Sequence, residues 1–171
     1  METKINRITK RNNLFYFIVG MMFVFTSCDT NRVYDQYYSL ENNSWKLDSP
    51  VAFEIQVTDT LTRNNLFVNV RNNSEYKYSN LYLITHIDFP DGIRIVDTLQ
   101  YKMADKNGQF LGTGISEIKE NKLFLKERIL FPVSGNYQVS IYQAMRKNGS
   151  VEGMKELEGI TDVGFRIEKV N

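Results

Sequence analysis

The sequence predicts an all-β protein, an antiparallel β-sandwich, immunoglobulin-like or similar, of about eight strands. Three observations predict it. Apolar and polar residues alternate along successive short segments, which is the period of a half-buried strand. Turn residues separate these segments every ten positions or so. No segment carries the 3.6-residue apolar period of a long amphipathic helix.

The first alternating segment is 51–58, with Val51, Phe53, Ile55 and Val57 on one face. It follows Trp45 and the turn signal Asp48-Ser49-Pro50. A polar stretch then leads to segment 66–71, with Leu66, Val68 and Val70 aligned, and Asn72-Asn73-Ser74 closes it. Segment 76–87 places Leu81, Leu83 and Ile87 together and ends at Phe89-Pro90-Asp91-Gly92, a β-turn by its proline and glycine. Segment 93–99 alternates again. Residues 101–114 are irregular and hold Gly108, Gly112 and Gly114, with 115–120 expected to add a short strand. Leu123, Leu125, Ile129 and Phe131 line one face of the next strand. Residues 132–141 carry Gly135 two positions before Tyr137, followed by alternation, the pattern of a tyrosine corner whose hydroxyl bonds to upstream backbone. Residues 143–158 are polar, with short helical turns expected near Ala144 and over 151–157. A last strand runs through Val163, Phe165 and Ile167.

The N-terminus is built differently. Lys4, Arg7, Lys10 and Arg11 precede an apolar run, residues 14–25, that ends in Thr26-Ser27-Cys28. A basic region, an apolar region and small residues before a cleavage point form a secretory signal. Twelve residues of helix rise about 18 Å, short of the ~30 Å hydrocarbon core, so a spanning anchor is not expected. Cys28 is the only cysteine in the chain. Its position marks a bacterial lipobox: cleavage before Cys28 and a diacylglyceryl group on its thiol. Phe25 stands where leucine is usual, and the alternatives are an ordinary signal peptide or an uncleaved signal anchor. The expected organisation is a signal peptide over 1–27, a lipid-anchored tether over 28–44 and a sandwich domain over 45–171.

Cleavage before Cys28 removes 27 of the 171 residues and leaves 144, enough for one domain. Four of the 21 basic and one of the 20 acidic residues go with the signal, leaving 17 against 19. A net charge near −2 makes nucleic acid a poor partner. With Cys28 acylated no thiol remains for a disulfide, a zinc–thiolate site or cysteine catalysis.

No motif defines a reaction. His86, the single histidine, lies in an alternating strand without an elbow motif beside it. Asp88, Asp91 and Asp97 crowd one hairpin, but their spacing fits no calcium loop. Position twelve counted from Asp105 is Ser116 rather than glutamate, so Asp105-Lys106-Asn107-Gly108 reads as a turn. No catalytic residue, metal or cofactor is assigned. Arg71, Arg146 and Trp45 are the candidates for partner contact, since arginine and tryptophan are enriched at interfaces. Trp45 is equally a core residue.

Several stretches taken together resemble the gliding motility lipoprotein GldH family of the Bacteroidetes. They are Tyr34, Tyr37 and Tyr38 after the cysteine, Val70-Arg71-Asn72, Tyr78-Ser79-Asn80-Leu81-Tyr82-Leu83, Gly135-Asn136-Tyr137, Gln143-Ala144-Met145-Arg146 and Gly159-Ile160-Thr161-Asp162-Val163-Gly164-Phe165-Arg166. The resemblance spans the expected mature chain. It implies a non-enzymatic outer-membrane lipoprotein that supports gliding through contacts with envelope proteins of the gliding and type IX secretion apparatus. A carbohydrate- or peptide-binding lipoprotein with an aromatic platform is the alternative. Only Asp29 is acidic directly after Cys28, whereas surface-export signals in these bacteria resemble acidic clusters there, so a periplasm-facing domain is expected.

Replacing Cys28 with alanine is expected to leave an uncut precursor or to release the protein from the membrane fraction. Processing that ignores globomycin, together with no incorporation of a fatty-acid probe, would refute the lipobox.

Overall fold

Ten strands run through residues 29–170, the part of the chain that the computed structural model describes. The signal segment and Cys28 lie outside the described residues. The strands are β1 (Arg32–Ser39), β2 (Ser44–Lys46), β3 (Val51–Val57), β4 (Asn64–Asn72), β5 (Asn80–Asp88), β6 (Arg94–Lys102), β7 (Lys119–Ile129), β8 (Gly135–Gln143), β9 (Glu156–Glu158) and β10 (Ile160–Lys169). One four-stranded sheet has the order β1-β10-β4-β7, the other β3-β8-β5-β6, and β2 pairs with β9. All named pairs are antiparallel.

The pairing is nested. β1 lies beside β10, β2 beside β9, β3 beside β8, β4 beside β7 and β5 beside β6. The chain is therefore one long hairpin, folded at Phe89-Pro90-Asp91-Gly92 and rolled over so that β10 also meets β4 and β5 also meets β8. At the fold, Phe89 N–H donates to Ile93 O at 2.8 Å and Gly92 N–H to Phe89 O at 3.0 Å. Two four-stranded sheets wound in this way form a jelly roll. The expected antiparallel sandwich is present, and within that class the strand order is a jelly roll rather than an immunoglobulin order.

Alternation decides which face goes inside. β3 reads buried–exposed throughout, with Phe53 fully buried and Glu54 and Gln56 in solvent. In β5, Leu81, Leu83, Thr85 and Ile87 point inward, and in β10 Val163, Phe165 and Ile167 do. Phe53 of one sheet and Phe165 of the other meet at 5.9 Å between ring centroids, and Tyr38 packs on Phe53 at 5.2 Å. Each such large side chain removed from water contributes roughly 1.5–3 kcal/mol before conformational entropy is counted.

Tyr137 behaves as its spacing predicts. It is 1% exposed, its hydroxyl donates to Val133 O at 2.8 Å, and Phe89 and Phe131 pack on its ring at 5.0 and 5.1 Å. The corner is thus a local device that this jelly roll shares with immunoglobulin sandwiches.

Four expectations are corrected. The tether is shorter than residues 28–44, because Arg32–Ser39 is a strand paired with β10, with one register shift between Arg32 and Tyr34. Its alternation is invisible because it is an edge strand whose positions are exposed or half-buried, none of them fully buried. Residues 76–79 do not extend β5; Tyr76 turns into the core and its hydroxyl donates to Asn80 O at 2.7 Å. Residues 115–118 form no strand, and β7 starts at Lys119. The helical turns expected in 143–158 are absent: Arg146 forms an isolated bridge with Gly153, and β9 follows. Gly159 joins β9 to β10 at φ +84°, where any Cβ would stand 2.1 Å from Tyr76 N, so neither the angle nor the space admits another residue.

Tyr137→Phe is expected to cost about 0.5–1.5 kcal/mol, the worth of one hydrogen bond. Tyr137→Ala should cost about 3–5 kcal/mol through the cavity it leaves. Urea melts of the three proteins check both values, and coincident melts would remove the corner.

Candidate partner-binding surface

Each sheet turns one face outward, and the two faces differ in chemistry. On the β1-β10-β4-β7 sheet the outward charges bind one another. Arg71 of β4 donates to Glu120 of β7 at 2.8 Å and lies 4.2 Å over the Tyr37 ring of β1. The Tyr37 hydroxyl donates to the same carboxylate at 3.1 Å. Burial, then the Glu120 charge, pushes the Tyr37 phenol far above its ordinary pKa. Arg166 of β10 sits between Asp35 and Glu168 at 2.6 Å from each, and Lys122 reaches Glu168 at 2.7 Å. Burial of the Glu168 carboxyl pushes its pKa up, but hydrogen bonds from Lys122 and Arg166 outweigh this and the net shift is downward. Gly164 lies under Tyr37: a Cβ there would come within 2.8 Å of the ring. This face is a closed lattice of ion pairs over the sheet, and Arg71 is engaged within it.

The outward face of the β3-β8-β5-β6 sheet is different. Its β5 row is Tyr82, Ile84, His86 and Asp88, each half-buried. The His86 ring packs on Tyr142 of β8 at 4.8 Å. Ile84, His86, Tyr142, Leu47, Gly153 and Arg146 line an open groove of about 370 Å³. Its wall is positioned by Gln143, which is 1% exposed. Gln143 Nε2 donates to Met154 O at 2.6 Å, and its Oε1 accepts Met145 N–H at 3.0 Å. That clamp fixes the segment carrying Arg146, whose side chain is exposed. The groove is mainly apolar with one guanidinium group at its rim, a composition that interface patches share.

The sequence candidates separate accordingly. Arg146 stands at the groove. Trp45 does not: it is 1% exposed, inside the core, with its Nε1–H donating to Ser49 O at 3.2 Å. A ring without accessible surface is no platform, which corrects its role as a contact residue. Tyr34 and Tyr38 of β1 pack on the sandwich, Tyr34 on Phe165 at 6.1 Å and the half-exposed Tyr38 on Phe53. Asp88 pairs with Arg94, whose hydrogen bonds hold its carboxyl below the usual range. Asp91 caps Ile93 N–H, and Asp97 pairs with Lys126 at 2.8 Å. Asp105 accepts the N–H groups of Asn107 and Gln109, the turn its spacing predicts. Among the described residues no three His, Cys, Asp or Glu side chains gather as a metal site. The groove itself was missed, because its walls come from β5, β8, the segment after β2 and the loop before β9. Its one sequence signal is the outward apolar pair Ile84 and Tyr142 in strands whose other faces are already apolar.

The described residues thus form an antiparallel jelly-roll sandwich that carries an apolar groove on one outward face. The chain belongs to the GldH lipoprotein family, whose family model matches residues 32–167. It is 54% identical over 157 residues to the "gliding motility lipoprotein GldH homolog" of Christiangramia forsetii, covering 92% of this chain and 95% of the relative. It is 48% identical over 143 residues to the "gliding motility lipoprotein GldH" of Flavobacterium johnsoniae, covering 84% and 88%. Among solved structures it is similar to the infectious bursal disease virus VP2 subviral particle. There the TM-score is 0.36 at 14% identity, and the match spans 84% of this chain and 34% of that one. A family GH115 glucuronidase matches with TM-score 0.42 at 12% identity, over 85% of this chain and 18% of that one.

Arg166→Ala is expected to cost roughly 2–4 kcal/mol, because it takes the guanidinium from the largely buried Asp35 carboxylate and leaves Glu168 with Lys122 alone. Arg71→Ala, in a half-exposed pair, should cost about 1 kcal/mol or less. Glu168 is a carboxylate with a lowered folded pKa. Its contribution is complete above the ordinary value, about 4.3, and is lost as pH falls through the folded value. Denaturant titrations at pH 7 and pH 3 check the order and the sign.

Proposed function

We propose that this chain is a non-enzymatic, lipid-anchored component of the cell envelope that supports gliding motility, and with it type IX secretion, by holding protein partners. The observation that carries this reading is the near full-length likeness to two gliding motility lipoproteins at 54% and 48% identity. The anchor is the acylated Cys28, and the domain faces the periplasm from the outer membrane. The partner contact is the groove beside Arg146, on the sheet face whose charges do not close a lattice. Arg71 serves the surface from within its ion pair.

The carbohydrate- or peptide-binding alternative needs a row of free aromatic rings. Trp45, Tyr76 and Tyr137 are buried, and the His86 and Tyr142 rings pack on each other at a tilt, which supports protein contact.

Cross-linking and pull-down from native envelopes, with strains scored for spreading and secretion, test the proposal. Arg146→Glu is expected to weaken partner capture at least tenfold at unchanged protein level. His86→Ala should leave both phenotypes intact, and loss of spreading in that strain at normal protein level would overturn the non-enzymatic reading. Protease shaving of intact cells should spare the domain.

A further inference from the structure

Nested pairing puts the start of β1 and the end of β10 at one end of the sandwich. Arg32 pairs with Glu168, and Lys169 N–H donates to Asn31 O at 2.8 Å. Asn64 pairs with Ile129 and with Lys169 at the same end. Loops 58–63, 89–93 and 130–134 turn there as well, since they join β3 to β4, β5 to β6 and β7 to β8. From Asn31, which is fixed to β10, to Cys28 there are three Cα steps, about 11 Å at full stretch. An acylated Cys28 lies at the membrane surface, so this end of the sandwich cannot stand clear of it.

The three loops there share a construction. In loop 58–63, Asp59 Oδ1 accepts the N–H groups of Leu61 and Thr62 at 2.9 and 3.0 Å, and its other oxygen accepts the Thr62 hydroxyl at 2.6 Å. That turn holds Leu61 out at 89% exposure. In loop 89–93, Asp91 accepts Ile93 N–H at 3.2 Å, and Ile93 is 57% exposed. In loop 130–134 the Tyr137 hydroxyl holds Val133, which is 37% exposed beside Leu130 at 42%. In the first two loops the loop's own aspartate satisfies backbone N–H groups, in the third Tyr137 of β8 binds the loop backbone, and each presents an aliphatic tip. These are the two requirements for entering the lipid interface, where unpaired backbone is costly and apolar side chains are favoured.

We propose that this end docks on the phospholipid surface, with Leu61, Ile93, Leu130 and Val133 entering the interface, so that the domain is held upright rather than swinging on its anchor. The partner groove then keeps a fixed orientation to the membrane. The inference rests on acylation of Cys28 and adds a second, non-covalent contact.

The test uses the mature acylated protein, in which an introduced cysteine is the one free thiol. An environment-sensitive fluorophore is attached at Leu61→Cys, Ile93→Cys or, in the loop between β6 and β7 at the far end, Ile115→Cys. The proteins are reconstituted in phosphatidylethanolamine–phosphatidylglycerol vesicles with and without doxyl-labelled lipid. Strong quenching and a blue shift are expected at positions 61 and 93, with neither at 115. A further protein carries Leu61→Asp and Val133→Asp with the label at 93. It should still float with the vesicles but lose most of its quenching. Unchanged quenching there would mean that the short tether alone brings the end close, and would overturn docking. Equal signals at both ends would overturn it too, with the anchor intact. Protein that does not float overturns the anchor and docking together.

Discussion

The contact of Phe53 with Phe165 is the point on which the structure turns. A long antiparallel hairpin with one apolar face cannot stay flat in water. Rolling it brings that face against itself, and these two rings, from strands more than a hundred residues apart in sequence, meet across the layer. The described residues contain no cysteine, so no covalent bridge assists. Everything between the sheets is held by burial, with polar links at one edge, where Tyr101 donates to Phe124 O at 2.6 Å and Lys126 meets Asp97.

Nesting makes this assembly tractable. Each pair encloses the next one inward, so a pair that closes on a formed inner pair has only a short stretch of free chain to constrain. Loop closure then costs only a slowly rising entropy. The centre of the nest is the turn at Phe89-Pro90-Asp91-Gly92, the strongest turn signal in the sequence. Its outermost pair, β1 with β10, ties the residues after the anchor to the end of the chain. This is why the segment that reads as a tether is a strand, and why the start of β1 and the end of β10 lie at the same end of the domain.

The two outward faces divide the labour. One is saturated by Arg71, Arg166 and Lys122 with their carboxylates, and its tight fit depends on Gly164 leaving room for Tyr37. The other leaves an apolar groove with Arg146 at its rim, held in place by the buried Gln143.

By itself the sequence determined what depends on near neighbours: the inward faces of β3, β4, β5, β8 and β10, the turn at residues 89–92, the Tyr137 corner and the basic-apolar-cysteine order at the N-terminus. Side chains two or four positions apart set these properties. The tertiary structure decided what depends on register between distant strands. The hydroxyl of Tyr37 finds Glu120 83 positions away, and Arg166 finds Asp35 131 positions away. Whether Trp45 was core or platform, whether Arg71 was free or paired, and whether the sandwich was immunoglobulin-like or a jelly roll all rested on which strands pair. Alternation fixes the face that a strand buries and leaves open the strand it lies beside.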